Sequence, residues 1–223
     1  MLPVVSICPL LKAALPSINA SALPTELCCL VLYTDLMVAG SLEDLIRDLG
    51  CGITEASALP FMSSVTEGLL FLHGKGIVHG AVKASNVLLG PDMCAKLTDY
   101  GCVGIPGPTV YDTNHVGVVP WTAPELLGNP ESRPSHSSDV WSLGCLAVEL
   151  LTGRPPFDAH LWQKPDISGY ITQIAVNSSA VPKIPTDITV EGRDFVKQCL
   201  TRNFFRRPSI EKLSQHAWLA DVN

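Results

Sequence analysis

From Asp139 to Leu151 the chain carries Val140, Trp141, Leu143, Cys145, Leu146, Val148, Leu150 and Leu151, so a helix here is apolar on nearly every side. Such a helix belongs in the middle of a core, with other elements wrapped around it. Thr152-Gly153 ends it, and Pro155-Pro156 prevents its resumption. The rest of the chain supplies the wrapping. Ser41 is placed to cap a short helix through Asp48, closed by Gly50. Ala58 to His73 sets Phe61, Met62, Val65, Leu69 and Leu72 on one helical stripe, closed by Gly74. Pro60 fits within a first turn, which places the start of this helix near Ser57 or Ala58. Two further amphipathic helices are expected, Val190 to Leu200 and Ser209 to Leu219.

Strand signals are few and short. Val4 to Cys8 and Leu27 to Tyr33 read as strands, separated by a Pro/Ala/Ser loop from Pro9 to Pro24. Val87-Leu88-Leu89 and Ala95-Lys96-Leu97 read as two more, joined at Gly90-Pro91-Asp92. Gly101 to Pro120 lacks periodicity and reads as a long loop, a length that usually marks function or mobility. No internal repeat or low-complexity tract occurs.

Charge and composition exclude several classes. The 223 residues hold 15 Lys and Arg against 21 Asp and Glu, a net charge of −6. A chain this acidic lacks the basic field that neutralises nucleic-acid phosphates. The densest apolar run, Leu27 to Tyr33, is strand-sized and far short of a membrane span, so a soluble protein is expected. The apolar N-terminus has no preceding positive charge and is broken by Pro3 and Pro9, unlike a secretory signal. The eight cysteines lack C-x-x-C spacing, which points to free, mostly buried thiols in a reducing compartment. Neither they nor the six histidines show zinc-ligand spacing.

The chemistry sits between His79 and Arg207. His79-Gly80-Ala81-Val82-Lys83-Ala84-Ser85-Asn86 resembles the protein-kinase catalytic loop H-R-D-L-x-x-x-N, and Asp99-Tyr100-Gly101 resembles its metal-binding D-F-G. Ala123-Pro124-Glu125 is A-P-E. Asp139 matches the Asp that braces the catalytic loop, and Arg207 in Arg207-Pro208-Ser209 matches the Arg that pairs with the A-P-E Glu. Five such motifs in order and spacing resemble the larger lobe of a Ser/Thr protein kinase of the mitogen-activated protein kinase kinase kinase type. The run from Thr152 to Phe157 and the C-terminal Gln215-His216-Ala217-Trp218-Leu219 fit that group too. The resemblance implies an α+β, protein-kinase-like fold, mainly α-helical, with residues 1–34 an incomplete small-lobe remnant and 35–219 the large lobe. It also implies ATP and Mg²⁺ as cofactors. Thr34, Asp35, Leu36 and Met37 would meet adenine, Leu88 would form the apolar floor beneath the ring, Asn86 and Asp99 would hold the metal, and Lys83 would contact the transferring phosphate.

The departures weigh against full activity. Ala81 stands where the family has the Asp that accepts the substrate hydroxyl proton, and Ser85 is too poor a base to replace it. Base catalysis is worth about 10²–10⁴ in rate, but phosphoryl transfer depends mostly on positioning and charge neutralisation. Ala81 alone therefore describes a crippled site. Gly80 replaces the Arg that grips an activation-loop phosphate, which deprives Thr109, Tyr111 and Thr113 of that partner. Val118 replaces the Thr that would bond to the catalytic Asp and Lys. No G-x-G-x-x-G or V-A-I-K occurs, and Lys12 is the one Lys before residue 75. His79 reads as a packed core histidine. The expectation is a catalytically impaired kinase-like domain, cytoplasmic, that binds or scaffolds other kinase-pathway proteins or a protein covering the truncated lobe. The alternatives are a weakly active Ser/Thr kinase and a non-functional fragment. Apolar surface around Leu88 and the two N-terminal strands is expected to lie exposed.

Overall fold

The computed structural model describes residues 35–100, 119–128, 131–157 and 167–220. The strands expected at Val4 to Cys8 and Leu27 to Tyr33, together with Thr34, Thr109, Tyr111, Thr113 and Val118, lie outside the described residues. Within them the order is α1 (Leu42–Leu49), α2 (Glu55–Gly74), β1 (Val87–Leu89), β2 (Ala95–Leu97), α3 (Pro124–Leu127), α4 (His136–Thr152), α5 (Ile167–Val176), α6 (Val190–Cys199), α7 (Ile210–Leu213) and α8 (Ala217–Ala220). A 3-10 turn, Ala84–Asn86, leads into β1. The described residues are mainly helical, with one small two-stranded sheet.

Helix α4 is the helix its composition calls for: every residue from Ser138 to Leu150 is buried. It packs against α2 on one side and α6 on another. Trp141, Leu143, Leu146 and Leu150 are fully buried, and each contributes about 1.5–3 kcal/mol by leaving water. The helix starts three residues ahead of Asp139. Ser135 accepts from Ser138 N (3.2 Å), and Ser138 Oγ accepts from Ser135 N (2.9 Å), a reciprocal cap that satisfies two orphan donors.

Ser41 caps α1 as expected, and the left-handed Gly50 closes it. Three boundaries differ from the periodicity. Helix α2 begins at Glu55, because Thr54 supplies its cap by accepting from Ser57 N at 3.2 Å. Pro60 therefore lies inside the helix. The carbonyl that its missing N–H would have met belongs to Ala56, which is exposed to water. Gly74 is the last helical residue, and the left-handed position falls two residues on, at Gly76. The helix expected from Ser209 to Leu219 is two short ones, since His216 Nδ1 accepts from Trp218 N (3.1 Å) and starts a new turn there. Helix α5 had no sequence signal that stood out.

Strands β1 and β2 are antiparallel, with Val87 opposite Leu97, Leu88 opposite Lys96 and Leu89 opposite Ala95. The incoming segment runs beside β1: Ala39 N donates to Leu89 O (3.2 Å) and Leu89 N to Gly40 O (2.8 Å). Leu36 and Val38 in that segment are exposed and Leu88 is half-buried, while the two N-terminal strands of the same expectation lie outside the described residues. A second, smaller apolar cluster joins Val119, Leu127 and Ile174 beneath α3 and α5. Of the four described cysteines, Cys145 and Cys199 are buried and Cys51 and Cys94 exposed, so burial is less general than expected. No described helix is long and apolar enough to cross a membrane.

Helices α4 and α6 meet at Gly144. A Cβ there would stand 2.7 Å from Cys199 Cβ and 3.0 Å from the Leu200 side chain. Gly144→Ala is expected to lower the unfolding free energy by about 1–3 kcal/mol through overpacking. Urea denaturation should show a lower midpoint with an unchanged slope.

Candidate functional site

Asp139, in the first turn of α4, is buried and takes three hydrogen bonds. Its Oδ2 accepts from His79 N (2.8 Å) and from His73 Nε2 (2.8 Å), and its Oδ1 accepts from Gly80 N (2.8 Å). The loop from His79 to Asn86 is thus pinned to the core helix by its main chain. His73 comes from the last turn of α2 and stacks on the ring of His136, 4.1 Å between centroids. His79 is fully buried, its Nδ1 accepting from Ala81 N at 3.2 Å. Burial holds its pKa below the ordinary histidine value, so it is neutral at pH 7. This is a packed core histidine.

Beyond the pinned turn, Asn86 Nδ2 donates to Ala81 O (2.8 Å), which closes the loop on itself. Thr98 N donates to Asn86 O (3.0 Å), so the β1–β2 hairpin carries Asp99 back beside Asn86. Asp99 takes a left-handed φ of 60°, a conformation Asp tolerates better than most residues. Lys83 reaches over the Trp121 ring, its Nζ 5.7 Å from the centroid. Leu88 and Lys96 are cross-strand partners on one face, and Lys96 Nζ donates to the Asp35 carboxylate at 3.4 Å. Asp35 and Leu88 are thereby brought to the same side of the hairpin. Met37 lies near its turn, with Cε close to Gly90. Gly101 is outside the described residues.

One further buried carboxyl belongs to none of the sequence motifs. Glu149, late in α4, accepts from Ala84 N (3.0 Å) and Trp121 Nε1 (2.8 Å) through the same oxygen. It ties the loop to the segment before α3. Burial pushes its pKa from 4.5 up to about 7, opposed by these donors and by Lys83. A carboxyl in so apolar a helix was the available signal. The other long-range tie is bidentate: Arg207 Nη1 donates to Glu125 Oε1 (2.8 Å) and Nη2 to Oε2 (3.0 Å). Among the described residues, no group of three or more His, Cys, Asp or Glu gathers as a metal site.

This scaffold is shared with known proteins. Residues 22–219 match the protein kinase domain, and the chain belongs to the protein kinase family. It is 31% identical over 195 residues to mitogen-activated protein kinase kinase kinase 3 of Arabidopsis thaliana, covering 86% of this chain and 30% of that protein. To the serine/threonine-protein kinase STE11 of Saccharomyces cerevisiae it is 28% identical over 192 residues, 84% of this chain and 25% of the relative. To human mitogen-activated protein kinase kinase kinase 19 it is 30% identical over 196 residues, 84% of this chain and 14% of the relative. The chain spans less than a third of the length of each of these three.

Two outcomes follow from the buried carboxyls. Asp139→Ala strands the main-chain donors of His79 and Gly80 and the buried His73 ring, and is expected to cost about 3–5 kcal/mol, seen as a large loss of thermal stability. Glu149 holds its proton more tightly folded than unfolded. Its contribution is therefore full below about pH 4.5 and is lost as pH rises through about 7, a fall of about 3 kcal/mol. Glu149→Gln should flatten the stability profile across that window in denaturant titrations.

Proposed function

We propose that this is a protein-kinase-like domain with impaired catalysis, acting by binding or scaffolding within a kinase cascade of the kind its relatives' names describe. The observation that carries the reading is Ala81. At the position where the resemblance puts the proton acceptor, the loop offers a methyl group, while its main chain keeps a fully braced geometry. The platform persists without the base. Among the described residues, no carboxylate lines the cavity beside Ala81.

ATP and Mg²⁺ belong to this proposal as ligands. The Asn86 amide nitrogen is turned to Ala81 O, which leaves its carbonyl oxygen, with the Asp99 carboxylate, as hard-oxygen donors. Two protein oxygens suit Mg²⁺ when phosphate and water complete the octahedron. The donor set therefore fits a metal that arrives with its nucleotide. Bound together, they would supply the phosphoryl group and neutralise its charge. Asp35, Met37 and Leu88 would then line the base, and Lys83 would face the phosphate.

A second reading is favoured by the retention of Lys83, Asn86 and Asp99 in one braced loop-and-hairpin unit: weak ATP-dependent phosphorylation of Ser or Thr. Phosphotransfer to a basic protein substrate separates the two. The impaired reading expects turnover no higher than that of Asp99→Ala. Robust Asp99-dependent turnover by the unaltered chain would sink it. The weak-kinase reading expects Ala81→Asp to raise a measurable rate by about 10²–10⁴-fold. In a thermal shift, ATP with Mg²⁺ at 100 times its Kd should add about 2.7 kcal/mol. No shift at millimolar ATP would remove the nucleotide from the first reading and overturn the second.

A further inference from the structure

The turn between α6 and α7 is fastened from within and from behind. Arg206 N and Arg207 N both donate to Asn203 O (2.9 and 3.0 Å), and Phe205 N donates to Asn203 Oδ1 (3.1 Å). Behind it, Ser137 Oγ donates to Phe204 O (3.0 Å), and Arg207 Nε donates to Thr201 O (2.8 Å) while its terminal nitrogens hold Glu125. On this fixed support two aromatic rings face outward. Phe204 and Phe205 stand 4.1 Å apart, centroid to centroid, and are 40% and 85% exposed. A single exposed apolar side chain is ordinary. A pair of rings held together on a braced turn, one of them burying very little, adds little to folding.

The charge beside the rings selects what they can meet. Residues 195–210 carry Lys197, Arg202, Arg206 and Arg207 and no Asp or Glu, in a chain whose net charge is −6. Arg207 is neutralised by Glu125, and Arg202 turns its donors onto the carbonyls of Ile174, Ala175 and Ala180. Arg206 is exposed next to the rings and has no ion pair among the described residues. Aromatic rings with an arginine at their edge have the composition of an interface core rather than of ordinary surface. The braced main chain also lowers the ordering cost of binding. The complement of such a knob is an apolar cleft edged by carboxylates. A bilayer matches less well, because two rings and one cation anchor only marginally and the acidic chain as a whole is repelled by anionic lipid.

We propose that Phe204, Phe205 and Arg206 form a docking knob for a partner protein that presents aliphatic side chains edged by Asp or Glu. The proposal rests on reading the chain as a binding domain. It gives that reading a surface built from residues outside the loop and hairpin of the candidate site.

The photoreactive residue p-benzoylphenylalanine is placed at Phe205 of the full chain and, as a control for exposure alone, at Val176, which is 78% exposed on α5. Both chains are irradiated in a lysate of the cells that express them, and the cross-linked segment is sequenced by mass spectrometry. The expected product is one partner segment rich in Leu, Ile or Val with Asp or Glu, at a yield about tenfold above the Val176 position. Arg206→Glu in the same chain should lower that yield about tenfold. No product above the Val176 level, a basic segment, a second copy of this chain, or a yield unchanged by Arg206→Glu each overturns the proposal. Cosedimentation with phosphatidylcholine–phosphatidylserine vesicles that Phe205→Ser abolishes also overturns it and assigns the rings to a membrane. Phe205→Ser and Arg206→Glu should leave Tm within about 2 °C, as exposed positions do. A larger fall would make the rings structural and overturns the docking role. Cross-linking needs neither nucleotide nor turnover, whereas Asp99-dependent turnover tests impaired catalysis alone, so the two readings fail separately.

Discussion

One buried carboxylate, Asp139, decides where the functional loop can be. It lies in the first turn of a helix buried along thirteen consecutive residues, Ser138 to Leu150, and it takes two main-chain donors from the loop and one ring donor from α2. An ionised group can remain at such depth only when its lone pairs are filled. The brace and the burial therefore depend on each other. The helix gives the carboxylate a rigid mount, and the loop gives it the donors that make its burial tolerable.

The rest of the site is built outward from that point. Asn86 closes the loop onto Ala81 O, and the hairpin that begins at Val87 folds Asp99 back beside it. Glu149, about three turns along α4 from Asp139, repeats the arrangement on the far side of the loop by receiving Ala84 N and Trp121 Nε1. One helix thus holds the loop at both ends. Trp121 in turn lies under Lys83, so the lysine, the ring and the carboxyl form one column against the core.

Much of this was legible in the residues. The all-round apolar run gave α4 and its depth, and the Gly90-Pro91-Asp92 turn gave the hairpin. The spaced motifs pointed to Asp139 as a brace and to Arg207 with Glu125 as a pair. What was missed has physical causes. Helix α2 starts ahead of the position Pro60 suggests because the Thr54 cap fixes its first turn and Pro60 is accommodated inside. Apolar spacing alone makes the C-terminal helix continuous, because it carries no sign of the His216 ring accepting from Trp218 N. Glu149 went unseen because its role lies in two partners 65 and 28 residues away, and no local pattern reports such a meeting. The resemblance groups Asp35 with Leu88, whereas Lys96, opposite Leu88 and bonded to Asp35, follows only from strand register.

Gly80 has a φ of 80°, a region that costs any side-chain-bearing residue about 1 kcal/mol or more and glycine almost nothing. The grip of Asp139 is on the main-chain nitrogens of residues 79 and 80, so it does not depend on what either residue at 80 or 81 displays. The turn that delivers the loop to the core helix is thus a main-chain device: glycine at position 80 relieves it of torsional strain, and the side chains it carries can change without loosening its anchorage.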